Sequence, residues 1–404
     1  MFKEYIKREV YVNKIRPFIG KDIIKVLVGH RRVGKSYLLY QIMDEVKNQD
    51  SKIEIVYINK ELNDFADIVD HQSLLKYIDL KKNKNSGGKT ALFIDEVQDI
   101  INFEKALRHL NASGQFDIYC TGSNAKLLSG ELATFLSGRY IEVEVRGLSY
   151  NEFLEFHKLA KGKESLFRYI KYGGLPYLIN LPPEDDAVYD YLRNIYNTIV
   201  LKDVVERFRL RNVNLLERLI EYLADNVGSL VSANNISDFL KSQKIKISPN
   251  TILNYLSYLA ASYFIYKVPR LDIVGKKIFE VNDKFYFEDL GLRHVVVNYK
   301  QSDINKILEN LVFSHLKYIG YEVKVGQLGQ QEIDFVASRG EARVYVQVAY
   351  LLNSEAVKQR EFGNLLKIDD NYKKIVVSMD DFGGGNVSGI EQWNVVDFLC
   401  DFLG

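Results

Sequence analysis

The sequence predicts an α/β protein: a parallel sheet bearing a phosphate-binding loop, then a mainly helical stretch, then a second α/β region. Three observations carry that class. Apolar runs of strand length alternate with helix-patterned segments over the first 150 residues, as in sheets covered by helices on both faces. One run enters Gly29-His30-Arg31-Arg32-Val33-Gly34-Lys35-Ser36, which fits GxxxxGK[ST]. Another ends in the acid pair Asp95-Glu96.

The elements follow in order. Residues 1–20 read as a short amphipathic helix and a turn, and 23–28 as the first strand. A helical pattern opens at Lys35, with Tyr37, Leu38, Leu39, Ile42 and Val46 as its apolar positions. Strands are expected at 53–58, 91–94, 117–121 and 141–145, a helix at 103–111, and a polar surface loop at 81–89. Helices dominate 150–261, with a break at Pro182-Pro183-Glu184-Asp185-Asp186, and 278–287 returns to strand. A helix at 304–319 then leads into strands at 321–325, 332–337, 343–349 and 374–378, which read as a separate domain.

Composition narrows the function classes. At roughly 100–200 residues per domain, 404 residues make about two to four domains. Hydrophobic residues at 47% and charged residues at 26% supply ordinary globular cores. A net charge of +1 does not point to nucleic acid or an anionic membrane, so any DNA contact must rest on local patches. Cys120 and Cys400 form no CxxC pair, which argues against a zinc site or disulfide framework and suits a reducing cytoplasm. With no run of about 18 apolar residues, no membrane span is expected.

The glycine loop has the residue types that phosphate binding needs. Gly29 and Gly34 let the backbone curl so that amide groups point inward, and the helix start adds positive potential. Lys35 would reach the β- and γ-phosphates and the Ser36 hydroxyl would ligate Mg²⁺. His30, Arg31, Arg32, Val33 and the following Tyr37 line the same site, the two arginines without assigned chemistry. Asp95, at the end of a neighbouring parallel strand, would face Ser36 and hold Mg²⁺ through its water shell. Glu96 would take a proton from the attacking water. Thr121, Ser123 and Asn124 would bond the γ-phosphate or that water, or else form a turn and a helix cap. Arg139 would neutralise phosphate charge, in its own chain or across a subunit interface.

Several segments together resemble the prokaryotic AAA-type ATPases with a C-terminal DUF4143-type domain. They are the glycine loop with its double arginine, Leu92-Phe93-Ile94-Asp95-Glu96-Val97-Gln98, Thr121-Gly122-Ser123-Asn124, Ser137-Gly138-Arg139 and Tyr172-Gly173-Gly174-Leu175-Pro176. His30 stands where that group usually has proline. The resemblance implies ATP as the nucleotide, with Mg²⁺, and four parts. These are a P-loop ATPase core at 1–150, a helical lid region at 151–210, a winged helix at 211–295 and a nuclease-like fold at 296–404. Either steady hydrolysis or a slow nucleotide-gated switch would suit such a chain.

Residues of the later regions refine this. Helices at 215–223, 232–240 and from Ser248-Pro249, followed by strands at 265–268 and 276–281, read as three helices and a β wing. Ile252, Leu253, Leu256 and Leu259 would face the core, leaving Asn250, Thr251, Asn254, Ser257 and Tyr258 outside with no basic residue. Residues 201–280 hold 12 basic against 8 acidic residues, so a DNA contact would fall to Lys241, Lys244, Lys246, Lys276 and Lys277. Glu309, Glu332, Asp334 and the Gln347-Val348-Ala349 segment resemble the PD-(D/E)xK nuclease layout. Glutamine and alanine replace its second acid and its lysine, so nuclease chemistry is not expected unless another lysine, such as Lys358, moves in. A protein partner or further copies of the chain are the remaining expected partners.

Overall fold

The computed structural model describes residues 5–81, 89–125, 138–279, 282–381 and 384–403. Most of the expected loop at 81–89, Ser137, and the last two residues of the expected 276–281 strand lie outside them. The chain forms two compact units, Met1–Arg146 with Ala261–Tyr263, and Gly147–Ala260 with Phe264–Gly404.

The first unit holds five parallel strands: β1 (Ile24–Val28), β2 (Glu54–Asn59), β3 (Thr90–Asp95), β4 (Phe116–Gly122) and β5 (Tyr140–Glu144), in the order β2-β3-β4-β1-β5. Each lies within a residue or two of its sequence expectation, since β1, β3 and β4 are buried on both faces and so read as mainly apolar runs. One charge interrupts β1. Lys25 is fully buried and its ammonium bonds the equally buried Asp117 of β4, which also accepts from Gly20 N at 2.8 Å. The helix Lys35–Gln49 buries Leu38, Leu39, Ile42 and Val46 as expected, whereas Tyr37 is exposed. A helix at His71–Lys81 fills part of a region to which the sequence reading gave no element.

The second unit begins with helices, among them Tyr150–His157, Lys163–Tyr172 and Asp185–Thr198, the last continuing as a wider π-type turn over Ile199–Glu206. Gly173-Gly174 has a packing reason. Gly174 N donates to Asp289 Oδ2 at 2.7 Å, and a Cβ on Gly173, at φ +79°, would lie 2.2 Å from Asp289 Oδ1. Three more helices follow, Val213–Asp225, Ala233–Ser242 and Pro249–Ala261, the second capped by Ser232 and the third bonded at its start by Ser248. A three-stranded sheet accompanies them: β6 (Leu230–Val231), β7 (Ile265–Val268) and β9 (Asp283–Phe287), in the order β6-β9-β7. The hairpin partner of β7 is therefore β9 rather than residues 276–281. Between them β8 (Arg270–Asp272) leaves this sheet and pairs in parallel with β10 (Glu322–Leu328). Leu253, expected in the core, is 51% exposed, while Ile252, Leu256 and Leu259 are buried.

The remaining strands are β11 (Gln331–Arg339), β12 (Ala342–Val348), β13 (Lys373–Ser378), β14 (Asn386–Val387) and β15 (Ile390–Asn394). They form a mixed sheet in the order β14-β15-β13-β12-β11-β10-β8, joined in sequence by helices Ile304–Tyr318 and Glu355–Leu366. No helix among the described residues is long and apolar enough to cross a membrane.

Candidate functional site

β1 delivers the glycine loop at the C-terminal edge of the first sheet. Its backbone is one that only particular residues tolerate. Gly29 has φ +144°, and a Cβ there would meet Val145 O at 2.0 Å; Gly34 has φ +96°, at the start of the helix. Arg32 takes φ +68°, a left-handed conformation uncommon outside glycine. Its neighbour Arg31 reaches Glu61 at 3.7 Å. Val33 and His30 are buried, and His30 Nδ1 lies 2.8 Å from Arg31 O.

Lys35 is buried and its Nζ donates to Gly29 O and His30 O, both at 3.0 Å, so the loop closes around its ammonium. Glu96 Oε1 stands 4.0 Å away. Thr121 ties the two acids together: its hydroxyl donates to Asp95 Oδ1 at 2.5 Å and accepts from Glu96 N at 2.9 Å. Ser36 also hydrogen-bonds Asp95. Burial raises the Asp95 pKa, opposed by the bonds from Thr121 and Ser36. Glu96 sits at φ +57° and its carboxylate accepts from Gln98.

β3 is not the neighbour of β1, as the sequence reading supposed. β4 lies between them, pairing Ile94 with Cys120 on one side and Leu27 with Thr121 on the other. That is why Thr121, from the intervening strand, bridges the acids. Ser123 and Asn124 follow β4 at the same edge, where Gly122 pairs with Val28.

Arg139 is not brought to this edge. It precedes β5 at the opposite end, and its carbonyl accepts from Ile24 N at 2.8 Å. The register pairs Tyr140 with Ile24 and Glu144 with Val28, so Arg139 lies about 13 Å or more along the sheet from the loop. A role in its own chain's site is corrected accordingly. Two arginines the sequence reading passed over stand at the loop instead. Buried Arg8 donates from Nη1 to Val33 O and to Arg146 O, both at 3.0 Å, and Arg146 is itself buried at the end of β5. Neither lies in a motif, so only the fold marks them.

The donor set suits a hydrated magnesium ion held by one hydroxyl and one carboxylate, with phosphate oxygens completing it. Among the described residues no group of three or more His, Cys, Asp or Glu forms an all-protein metal cage.

The acids of the second unit also gather. Glu309, Glu332 and Asp334 surround one ammonium, and it belongs to Lys284 rather than Lys358, which is exposed on its helix. Gln347 is held by backbone and side chain: its Oε1 accepts from Asp334 N at 2.7 Å and its Nε2 donates to Glu361 Oε2 at 2.9 Å. Ala349 is buried against β13. The signal for Lys284 was the alternation Lys284-Phe285-Tyr286-Phe287, which sets two polar-tipped residues on one face.

Comparison with known proteins matches residues 21–154 to an AAA domain (AAA_14) and 163–303 to a domain of unknown function, DUF8612. DUF8612, rather than DUF4143, is thus the description that the later part of the chain matches. An uncharacterized protein of Haemophilus influenzae is 38% identical over 99% of this chain and 100% of its own. A second, from Methanocaldococcus jannaschii, is 32% identical over 94% of this chain and 90% of its own. Among solved structures, a Walker-type ATPase of Pyrococcus abyssi aligns with TM-score 0.52 at 18% identity, over 72% of this chain and 96% of its own. That likeness concerns the fold alone.

Proposed function

The chain belongs to one family with those Haemophilus and Methanocaldococcus relatives, and from that premise we propose that it is a Mg²⁺-dependent ATP-binding protein and ATPase. Nucleotide state would set the conformation of the later regions. The observation that carries the reading is the meeting of Lys35, Ser36, Asp95, Glu96 and Thr121 at one sheet edge beside a loop that requires glycine at Gly29. Bound Mg²⁺ would supply positive charge at the β- and γ-phosphates. Lys35 would exchange its two carbonyl contacts for phosphate oxygens. Ser36 and Asp95 would hold the ion, Thr121 would fix both acids, and Glu96 would accept the proton of the attacking water. His30, Arg31, Arg32, Val33, Tyr37, Ser123 and Asn124 complete the proposed nucleotide contacts. Arg139 would act only across copies of the chain.

A switch with little turnover is the second reading. It is favoured by the Gln98 contact that holds the Glu96 carboxylate. Steady-state ATP hydrolysis and fluorescent-ATP binding, for the wild type and Glu96→Gln, separate the two. Turnover lost in the variant with binding retained supports the ATPase. Binding without turnover in either supports the switch, and no binding at all sinks both.

We read 151–210 as a lid, 211–295 as a winged helix and 296–404 as a nuclease-like fold without nuclease chemistry. Three helices with the sheet order β6-β9-β7 support the second of these. The backbone-bound Gln347 supports the third. DNA remains a candidate partner through exposed Lys241, Lys244, Lys246, Lys276 and Lys277. Binding that shows no salt dependence, or none at all, would remove it. The reading places the protein in the cytoplasm.

A further inference from the structure

The later unit contains a lysine whose surroundings nothing in the nucleotide reading explains. β9 sets Lys284 and Tyr286 on one face. There Lys284 Nζ lies 2.7 Å from Glu309 Oε1, 2.7 Å from Glu332 Oε1 and 4.0 Å from Asp334 Oδ1, with 3% of its side chain exposed. Tyr286 donates its hydroxyl to the same Glu309 oxygen. Gly228 forms one wall: a Cβ there would come within 3.2 Å of the Glu309 carboxyl group. Burial works against the ammonium, but the carboxylates of Glu309, Asp334 and Glu332 outweigh it and raise its pKa.

The cluster differs from a site awaiting a metal. Asp334 Oδ2 is taken by Val348 N at 2.8 Å, and the Gln347 carbonyl oxygen by Asp334 N. Burial beside Glu309 raises the Asp334 pKa well above the usual carboxylate range, which disfavours the ionised form that a divalent ion would bind. A divalent ion would need several oxygens at about 2.0–2.6 Å, where a tethered cation already stands.

We propose that the Lys284 ammonium fills the cation position of the Glu309, Glu332 and Asp334 cluster, making it a neutralised joint between β9 and the C-terminal sheet rather than a divalent-metal site. A second tie supports this. The segment joining β7 to β9 also gives β8 to the edge of that sheet, Arg270–Asp272 beside Val325–Gln327. One connection is therefore fastened twice, by a backbone ladder and by a buried ion pair. The inference rests on side-chain geometry within the second unit and is independent of the nucleotide reading.

Mn²⁺ bound to the nucleotide-free full chain, counted by electron paramagnetic resonance, tests it. Wild type and Glu309→Gln should take up equal Mn²⁺. A Mn²⁺ present in wild type and removed by Glu309→Gln overturns the proposal. Lys284→Met should gain a Mn²⁺ site that Lys284→Met/Glu309→Gln loses at least tenfold in affinity. A folded Lys284→Met that gains none also overturns it. Should Lys284→Met not fold, the wild-type pair still decides, and Lys284→Arg, which keeps a cation, should fold and bind no Mn²⁺ through Glu309. Mn²⁺-dependent plasmid cleavage by wild type, lost in Lys284→Arg, would give the lysine a chemical role and sink the joint.

Discussion

At the glycine loop, Lys35 leans on two backbone carbonyls and stands 4.0 Å from Glu96 Oε1. In the later unit, Lys284 is clasped by two carboxylates at 2.7 Å. Both ammonium groups are buried beside acids, yet their partners differ in charge. The carbonyls are neutral acceptors, each bond from the ammonium contributing roughly 1.5–3 kcal/mol net, and an anionic ligand that takes their place leaves no charge buried. An ion pair adds the attraction of opposite charges, and breaking a buried one leaves uncompensated charge behind. The first lysine is thus available to a ligand, and the second is committed to the fold. A lysine near acids is not in itself a site; what else its donors touch decides.

The largest expected effect breaks the comparison at its chemical end. Glu96→Gln should lower ATP hydrolysis by about 10²- to 10⁴-fold while leaving fluorescent-ATP affinity near wild type. The equivalent change at the other cluster, Glu309→Gln, should leave hydrolysis unchanged. A comparable loss in Glu309→Gln would mean that the two acids do related work.

The next effect is on stability. Lys284→Met leaves buried carboxylates without their cation and should destabilise the fold by about 3–5 kcal/mol in chemical denaturation. Lys35→Ala should cost less, since it leaves neutral carbonyls rather than buried charge behind. Equal losses in the two variants would erase the distinction between an available and a committed lysine.

Protons sharpen the contrast within the second unit. Burial lowers the His315 pKa to about 4, and its Nε2 lies 2.9 Å from Phe402 O. The folded state holds the neutral ring, so stability from this group is present above the unfolded value of 6.5 and is lost as pH falls toward 4. Burial raises the Asp289 pKa to about 6 against bonds from Gly174, Leu292 and Gly291. Its contribution has the opposite sign, present below the ordinary 3.8 and lost as pH rises through 6. Each slope amounts to at most about 3 kcal/mol. Unfolding free energies of His315→Gln and Asp289→Asn between pH 4 and 7 should tilt in opposite directions relative to wild type. Parallel tilts would contradict the assigned protonation states.

Much of the first unit was legible. β1 to β4 are mainly apolar runs, β5 alternates, and Gly29 to Ser36 is a contiguous motif whose chemistry is local. Sheet order was not, because no residue of β4 announces that it lies between β1 and β3. The second unit was harder. The sequence runs β9 into a longer strand, gives no signal for β8 or β15, and puts Leu253 in a core that it does not enter. Short strands in a mixed sheet depend on partners distant in sequence. Lys284 is 25 residues from Glu309 and further from Asp334, so period-two alternation gave its face but not what that face meets.

The smallest expected effect concerns the residue that register removed from the site. With β5 parallel to β1 and Tyr140 beside Ile24, Arg139 stands at the far end of the strand from Gly29. Its guanidinium is exposed, and its backbone carbonyl already serves β1. Arg139→Ala should therefore change the ATP affinity of dilute protein by less than about twofold, well under the tenfold that 1.4 kcal/mol represents. Hydrolysis per chain gives the second readout. If Arg139 reaches the phosphates of another copy, wild-type turnover per chain should rise with protein concentration and that of Arg139→Ala should not. A tenfold loss of affinity in dilute Arg139→Ala would place the arginine at its own chain's loop and contradict the strand register.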